Sequence, residues 1–115
     1  MLQKRGKSGK GARKLTRLKS EEARRILSNT LPEKAFWVNN GPVLKGIIEL
    51  ATAAKKLTPE QFMHHTNKVK NDFAKWVDDV IRDSELAKRL RKIKSKDGLS
   101  KVVTERLKQL QKMLK

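Results

Sequence analysis

The chain has 115 residues, of which 29 are Lys or Arg and 12 are Asp or Glu, giving a net charge of +17 at pH 7. It contains no cysteine, which excludes a disulfide framework, a thiolate nucleophile and a Cys-based zinc site and fits an intracellular compartment. A chain of this length makes one small domain that buries about two-thirds of its unfolded surface, too little for a large catalytic cleft.

The charge is concentrated at the ends. Residues 1–19 carry Lys4, Arg5, Lys7, Lys10, Arg13, Lys14, Arg17 and Lys19 with no acid, residues 20–85 carry ten charges of each sign, and residues 86–115 carry eleven basic and two acidic side chains. Like charges gathered at the termini repel one another and gain nothing for folding, so they point to a polyanionic partner, nucleic acid above all. A thermophile-like excess of surface Lys does not explain an acid-free stretch. Gly6, Gly9 and Gly11 interleave with the cations, and besides Met1 only three large apolar side chains, Leu2, Leu15 and Leu18, occur there. That composition predicts a flexible tail over residues 1–19 that can follow a phosphate surface. The tail resembles the basic extensions of ribosomal proteins and, more loosely, histone tails. No apolar core follows its cations, so no signal peptide is expected. The longest mostly apolar stretch, residues 43–54, falls short of the ~20 residues that span a bilayer, so no membrane partner is expected.

Helical patterning begins at Ser20, with Glu21 and Glu22 in a first turn and Ile26 and Leu27 as a short apolar edge. Residues 31–38 read as a connector that packs Phe36 and Trp37 onto the core. Asn39-Asn40-Gly41-Pro42 reads as a turn that starts a second helix at Pro42, whose apolar positions from Val43 to Ala54 recur at three and four residues. Thr58-Pro59-Glu60-Gln61 is a capping box with proline at the first helical position. It predicts a third helix over residues 59–82, with Phe62, Val69, Phe73, Trp76, Val77 and Val80 as its core stripe. Asp83-Ser84 caps a fourth helix to about Lys94. Lys96-Asp97-Gly98 then breaks the pattern before a fifth helix from Ser100, with Val103, Leu107, Leu110 and Leu114 as its stripe. No strand-like alternation or internal repeat is evident. The expected fold is all-α: a compact bundle of four to five helices over residues 20–115, preceded by the basic tail.

The third helix carries Phe62, His64, His65, Asn67, Lys70, Asn71, Asp72, Phe73, Ala74, Trp76, Val77, Asp79 and Val80, preceded by Ala35-Phe36-Trp37. This set resembles a small helical domain family of unknown function common in archaea and some bacteria, through a His-x-x-x-x-x-Asn-Asp-Phe-x-x-Trp motif. The resemblance covers residues 34–93. It implies a compact helical fold and an archaeal origin, and it implies no activity.

Catalytic and metal chemistry find little support. On one continuous helix His65 and Asp72 stand two turns apart, about 10 Å, too far to share an ion. They read as structural partners for the connector backbone or for polar atoms of Trp37, Asn39 and Asn40. No Ser/His/acid order, phosphate loop after a strand or paired carboxylates can be picked out, and Gly6-x-x-Gly9-Lys10 is too short for a Walker loop. No catalytic residue, metal or cofactor is therefore expected. Asp78 and Asp79 read as helix-surface partners of Lys75 and Arg82. Trp37 and Trp76 read as core, and the lack of exposed aromatics argues against a base-stacking single-strand reader.

The sequence thus predicts a non-catalytic protein that contacts phosphate backbone largely independently of sequence. The contacts are expected from the tail cations and from Lys88, Arg89, Arg91, Lys92 and Lys94 on the fourth helix, with Lys101, Lys108, Lys112 and Lys115 beyond. Structured RNA is favoured over DNA, as for a cytoplasmic, ribosome-associated protein binding ribosomal RNA. The alternatives are an archaeal nucleoid DNA-binding protein and an adaptor that docks a protein partner through the third helix.

Overall fold

The computed structural model describes residues 19–114. The tail residues before Lys19, and Lys115, lie outside the described residues. Six α-helices and one two-stranded sheet make up the described chain. The expectation of a mostly helical fold holds, while the count of four to five helices and the absence of strands do not.

Helix α1 covers residues 19–27, so Lys19, placed by the sequence in the tail, is already helical. Ala23 and Ile26, three residues apart, turn one edge into the core. A 3-10 turn, Pro32–Lys34, leads into β1, Phe36–Trp37, which pairs antiparallel with β2, Val43–Leu44. Phe36 lies opposite Leu44 and Trp37 opposite Val43. Alternation along a strand sends neighbours to opposite faces, so Phe36, Val38 and Leu44 are buried while Trp37 is 72% exposed. The expectation that both aromatic rings pack on the core is therefore half wrong. Residues 38–41 form the turn: the Gly41 N–H donates to Val38 O at 2.9 Å, and Asn40 adopts a left-handed φ of 54°. A Cβ on Gly41 would stand 2.8 Å from Val38 Cγ1 and 2.9 Å from Gln61 Nε2, so any larger residue there must push these side chains aside. Pro42 thus serves a hairpin rather than a helix start.

Helix α2, Ile47–Ala54, begins five residues later than the apolar spacing implied. Its first turn lacks a side-chain cap, but Glu49 Oε1 accepts from the Lys45 N–H at 2.7 Å just before it. Helix α3, Pro59–His65, has the predicted capping box: Thr58 accepts from the Gln61 N–H, and Gln61 Oε1 accepts from the Thr58 N–H.

The predicted third helix is in fact two. Thr66 is extended, Asn67 Oδ1 accepts from the N–H groups of Val69 and Lys70, and an isolated antiparallel bridge joins Thr66 to Asn71. Asn71 then caps α4, Asp72–Trp76, by accepting from the Ala74 N–H at 3.0 Å. Short polar side chains that bond nearby backbone compete with the helix, so Asn67 and Asn71 turn the chain. Val69, placed by the sequence in the core stripe, sits at the tip of this turn and is 92% exposed.

Helix α4 runs directly into a π-helical turn, Val77–Ile81, in which the Arg82 N–H donates to Val77 O at 2.7 Å. The turn buries Ile81 and leaves Val80 half-buried, reversing the expected stripe. It ends at Arg82, which is left-handed with φ 63°. Arg25 of α1 crosses to cap it, donating to Ile81 O at 3.0 Å and Arg82 O at 2.8 Å.

Asp83 caps α5, Ser84–Leu90, accepting from the Leu86 N–H. The helix stops four residues before Lys94. Helix α6, Lys96–Met113, starts at the Ser95 cap, which accepts from the Gly98 N–H. Gly98 therefore lies in the first helical turn, where the sequence had placed a break. Leu99, Val103 and Leu110 are buried as α6 packs along α2 and α5, while Leu107 is only half-buried and Leu114 is exposed. The core joins these residues to an aromatic cluster: Phe36 stacks on Phe73 at 4.9 Å, with Trp76 edge-on to Phe36 at 5.6 Å. No helix among the described residues is long and apolar enough to cross a membrane.

Candidate nucleic-acid interface

The turn between α3 and α4 and the segment after α5 face each other across an open groove. Its lining includes Lys68, Lys70, Lys75, Arg91 and Lys94, with the exposed apolar side chains Met63 and Val69 at its edge. Its volume is about 1010 Å³. Asp72 is the one carboxylate in that lining. Arg91 also pairs with Asp78 at 2.9 Å, and Lys75 with Asp79 at 3.1 Å. Both pairs are solvent-exposed and contribute about 0–1 kcal/mol each, so a phosphate can displace either carboxylate at little cost.

The structure brings together two of the five cations that the sequence placed on the fourth helix. Arg91 and Lys94 line the groove, whereas Lys88, Arg89 and Lys92 do not. Arg89 is engaged with Glu85 one turn earlier, at 3.1 Å. Among the described residues, Lys88 and Lys92 are exposed and make no ion pair. Lys4, Arg5, Lys7, Lys10, Arg13, Lys14 and Arg17 lie outside the described residues, and Lys19 is exposed at the first described turn of α1. Sequence reasoning missed Lys68, Lys70 and Lys75. The signal was the pair Asn67 and Asn71, whose capping propensity makes a turn of the segment that carries two of these lysines.

Breaking the third helix also changes the His65 and Asp72 geometry. Because the chain reverses between them, His65 Nδ1 and Asp72 Oδ2 are 3.0 Å apart rather than two turns apart. The Asn39 N–H donates to His65 Nε2 at 3.0 Å. Nε2 is therefore the accepting nitrogen, which places the proton on Nδ1, where it is donated to the carboxylate. Lys70 Nζ reaches the same Asp72 oxygen at 3.3 Å. In a nucleophile-activating dyad Nε2 would face a substrate; here it is taken up by a backbone amide on a ring that is 6% exposed. Its effect is positional. Gln61, one turn before His65, donates through Nε2 to Asn39 O and Asn40 O, each at 3.1 Å, so α3 holds the Asn39 peptide by both its N–H and its C=O. Among the described residues no three His, Asp or Glu side chains are grouped to hold a metal.

Elsewhere, Glu22 is held below the usual carboxylate range by its hydrogen bond from Arg25, and the Arg25 guanidinium is raised by the same contact.

Residues 48–115 match the model of a family described as a family of unknown function, DUF5752. The chain belongs to the DUF5752 family. The match takes in the whole basic groove, the His65 and Asp72 pair and both late helices, whereas α1, the β1–β2 hairpin and the basic tail precede it. Comparison with curated proteins and with solved structures gave no match. The DUF5752 region is thus the part that carries the groove, and the hairpin with Trp37 is a feature of the residues in front of it.

Proposed function

We propose that this DUF5752 protein is a non-catalytic nucleic-acid-binding protein that grips phosphate backbone largely independently of sequence. The observation that carries the reading is the convergence of Lys68, Lys70, Lys75, Arg91 and Lys94 on one open groove in a chain of net charge +17. A cationic concave surface concentrates polyanions by long-range attraction and binds them by releasing their counterions. Structured RNA in a ribosome-associated setting ranks ahead of duplex DNA in an archaeal nucleoid. The tail composition supports this order, since Gly-interrupted basic extensions suit the irregular clefts of folded RNA. Met63 on α3 and Val69 in the turn after it, exposed in the same groove, favour as a second reading a protein-docking face over the predicted third helix.

The test is binding of a labelled RNA hairpin and a DNA duplex of equal length to the full chain, followed by fluorescence anisotropy across a salt series. The expected result is that log K falls linearly with log salt, with a slope of about −4 or steeper, for both ligands, and more tightly for RNA. Absence of salt-dependent binding to either ligand overturns the reading and leaves the docking face as the better one.

A further inference from the structure

The segment from Lys34 to Leu44 is pinned to the domain from below at three places. Trp76 Nε1 donates to Lys34 O at 2.8 Å, the Asn39 N–H donates to His65 Nε2 at 3.0 Å, and Gln61 Nε2 donates to Asn39 O and Asn40 O. With Phe36 and Val38 buried on either side, the backbone that carries Trp37 is fixed, yet the Trp37 side chain is turned outward and is 72% exposed. Its cross-strand partner Val43 is also exposed and lies beneath the same face. Val43 continues into a shallow groove lined by Ile48, Thr52, Lys45 and Lys56, with Glu49 the acid in that lining and its carboxylate engaged by the Lys45 N–H. Outside the groove Lys34, with Glu33 beside it, precedes Trp37 by three residues.

A large indole held in water on a fixed backbone, paired across the strand with an aliphatic residue that leads into a lysine-bearing groove, suits a flat aromatic ring attached to an anion. We propose that Trp37 is a stacking platform for an unpaired nucleobase, with Lys45 and Lys56 of the groove that begins at its cross-strand partner Val43 to take the adjoining phosphates. This rests on the nucleic-acid reading above and adds to it a contact to bases, which the groove lysines do not make. It also reverses the sequence-based argument against a single-strand reader, which assumed both tryptophans to be core. Stacking needs no base-specific hydrogen bond and tolerates any base, so the added contact selects unpaired strand over duplex rather than one sequence over another. Because the backbone is already held at Lys34, Asn39 and Asn40, little ordering cost remains to be met on binding.

The test compares single-stranded oligouridine, an abasic oligomer with the same number of phosphates, and duplex RNA, each added to the full chain while tryptophan emission and affinity are followed. Trp37 is on the surface and Trp76 is in the core, so emission changes report Trp37. Oligouridine is expected to quench the emission, the abasic oligomer is expected not to, and Trp37→Phe is expected to abolish the quenching while keeping most of the affinity. Trp37→Ala is expected to weaken oligouridine binding by about tenfold, within the range measured for one stacked base, with abasic binding and the salt slope unchanged. Circular dichroism of each variant checks that the fold is intact. If Trp37→Ala binds oligouridine as tightly as the native chain, the stacking inference fails and the phosphate reading stands. If the native chain binds none of the three oligomers, both fall. If the variant differs only by losing self-association at high protein concentration, the Trp37 face is an apolar contact between proteins, and the inference is overturned in that direction.

Discussion

Arg106 grips Asp83 with two parallel hydrogen bonds, Nε to Oδ2 at 2.8 Å and Nη2 to Oδ1 at 3.0 Å, on a carboxylate only 2% exposed. The same Asp83 caps α5 through the Leu86 N–H. One cation of the basic C-terminal run is thereby withdrawn from the surface, and it ties the middle of α6 to the start of α5.

Arg106→Met should cost about 3–5 kcal/mol, because it leaves a buried carboxylate without its partner. Asp83→Ser combined with Arg106→Met should cost less than Arg106→Met alone, since serine keeps the cap and no charge is stranded. Urea denaturation of the two variants checks this order; equal midpoints for Arg106→Met and the native chain would show that the pair contributes nothing.

His65→Ala should destabilise the domain by about 2–3 kcal/mol, through an Asn39 N–H left unpaired and lost packing against Phe36 and Phe73. Hydrogen exchange at the Asn39 amide should accelerate more than exchange on α6. The salt-dependent part of nucleic-acid binding should not change, because His65 touches no groove lysine except through Asp72 and Lys70. If the variant keeps its stability and loses binding, His65 belongs to the interface.

How far the sequence could be read follows the range of the interactions. Local devices were legible: the Thr58 and Gln61 capping box, the Asp83 cap and the inward-facing Ile26, Val103 and Leu110 all rest on neighbours within a turn or two. The break at Asn67–Asn71 was not, because apolar residues at 62, 69, 73, 76 and 77 carry a helical period straight across it, and Val69 keeps that period while facing water. The hairpin escaped because two-residue strands are too short for alternation to register, although Phe36, Trp37 and Val38 do alternate in burial. The basic groove escaped for a different reason: it joins residues 68–75 to 91–94, a juxtaposition made by the packing of α4 against α5 and by the Asn71 side chain, whose Nδ2 donates to Leu90 O at 2.8 Å.

Trp76 is buried, as its place in the apolar stripe predicts, and its ring has a second duty, the donation to Lys34 O. Trp76→Ala should cost about 3–5 kcal/mol and unfold much of the population. Trp76→Phe should cost about 1–2 kcal/mol, retaining the packing against Phe36 while leaving the Lys34 carbonyl without its donor. Thermal melts of the two variants separate the packing from the hydrogen bond; a Phe variant as unstable as the Ala variant would assign the whole effect to the bond.

The groove can be set against charge alone. Lys68, Arg91 and Lys94 line it, whereas Lys101, Lys108 and Lys112 lie along α6 and carry the same total charge. Neutralising the first three to Gln should reduce the steepness of log K against log salt by about 2–3, the number expected when three phosphate contacts are lost. Stability should hold, since the single ion pair removed, Arg91 with Asp78, is exposed. Neutralising the three α6 lysines should weaken binding through the overall field only, with a change in slope of less than about 1. Deletion of residues 1–18 should add to the groove variant almost independently if the tail contacts phosphates distant from it. Anisotropy titrations of the native chain and these four variants on one RNA hairpin decide the matter: equal slope losses for the groove and α6 variants would mean that net charge, and not the groove, holds the nucleic acid.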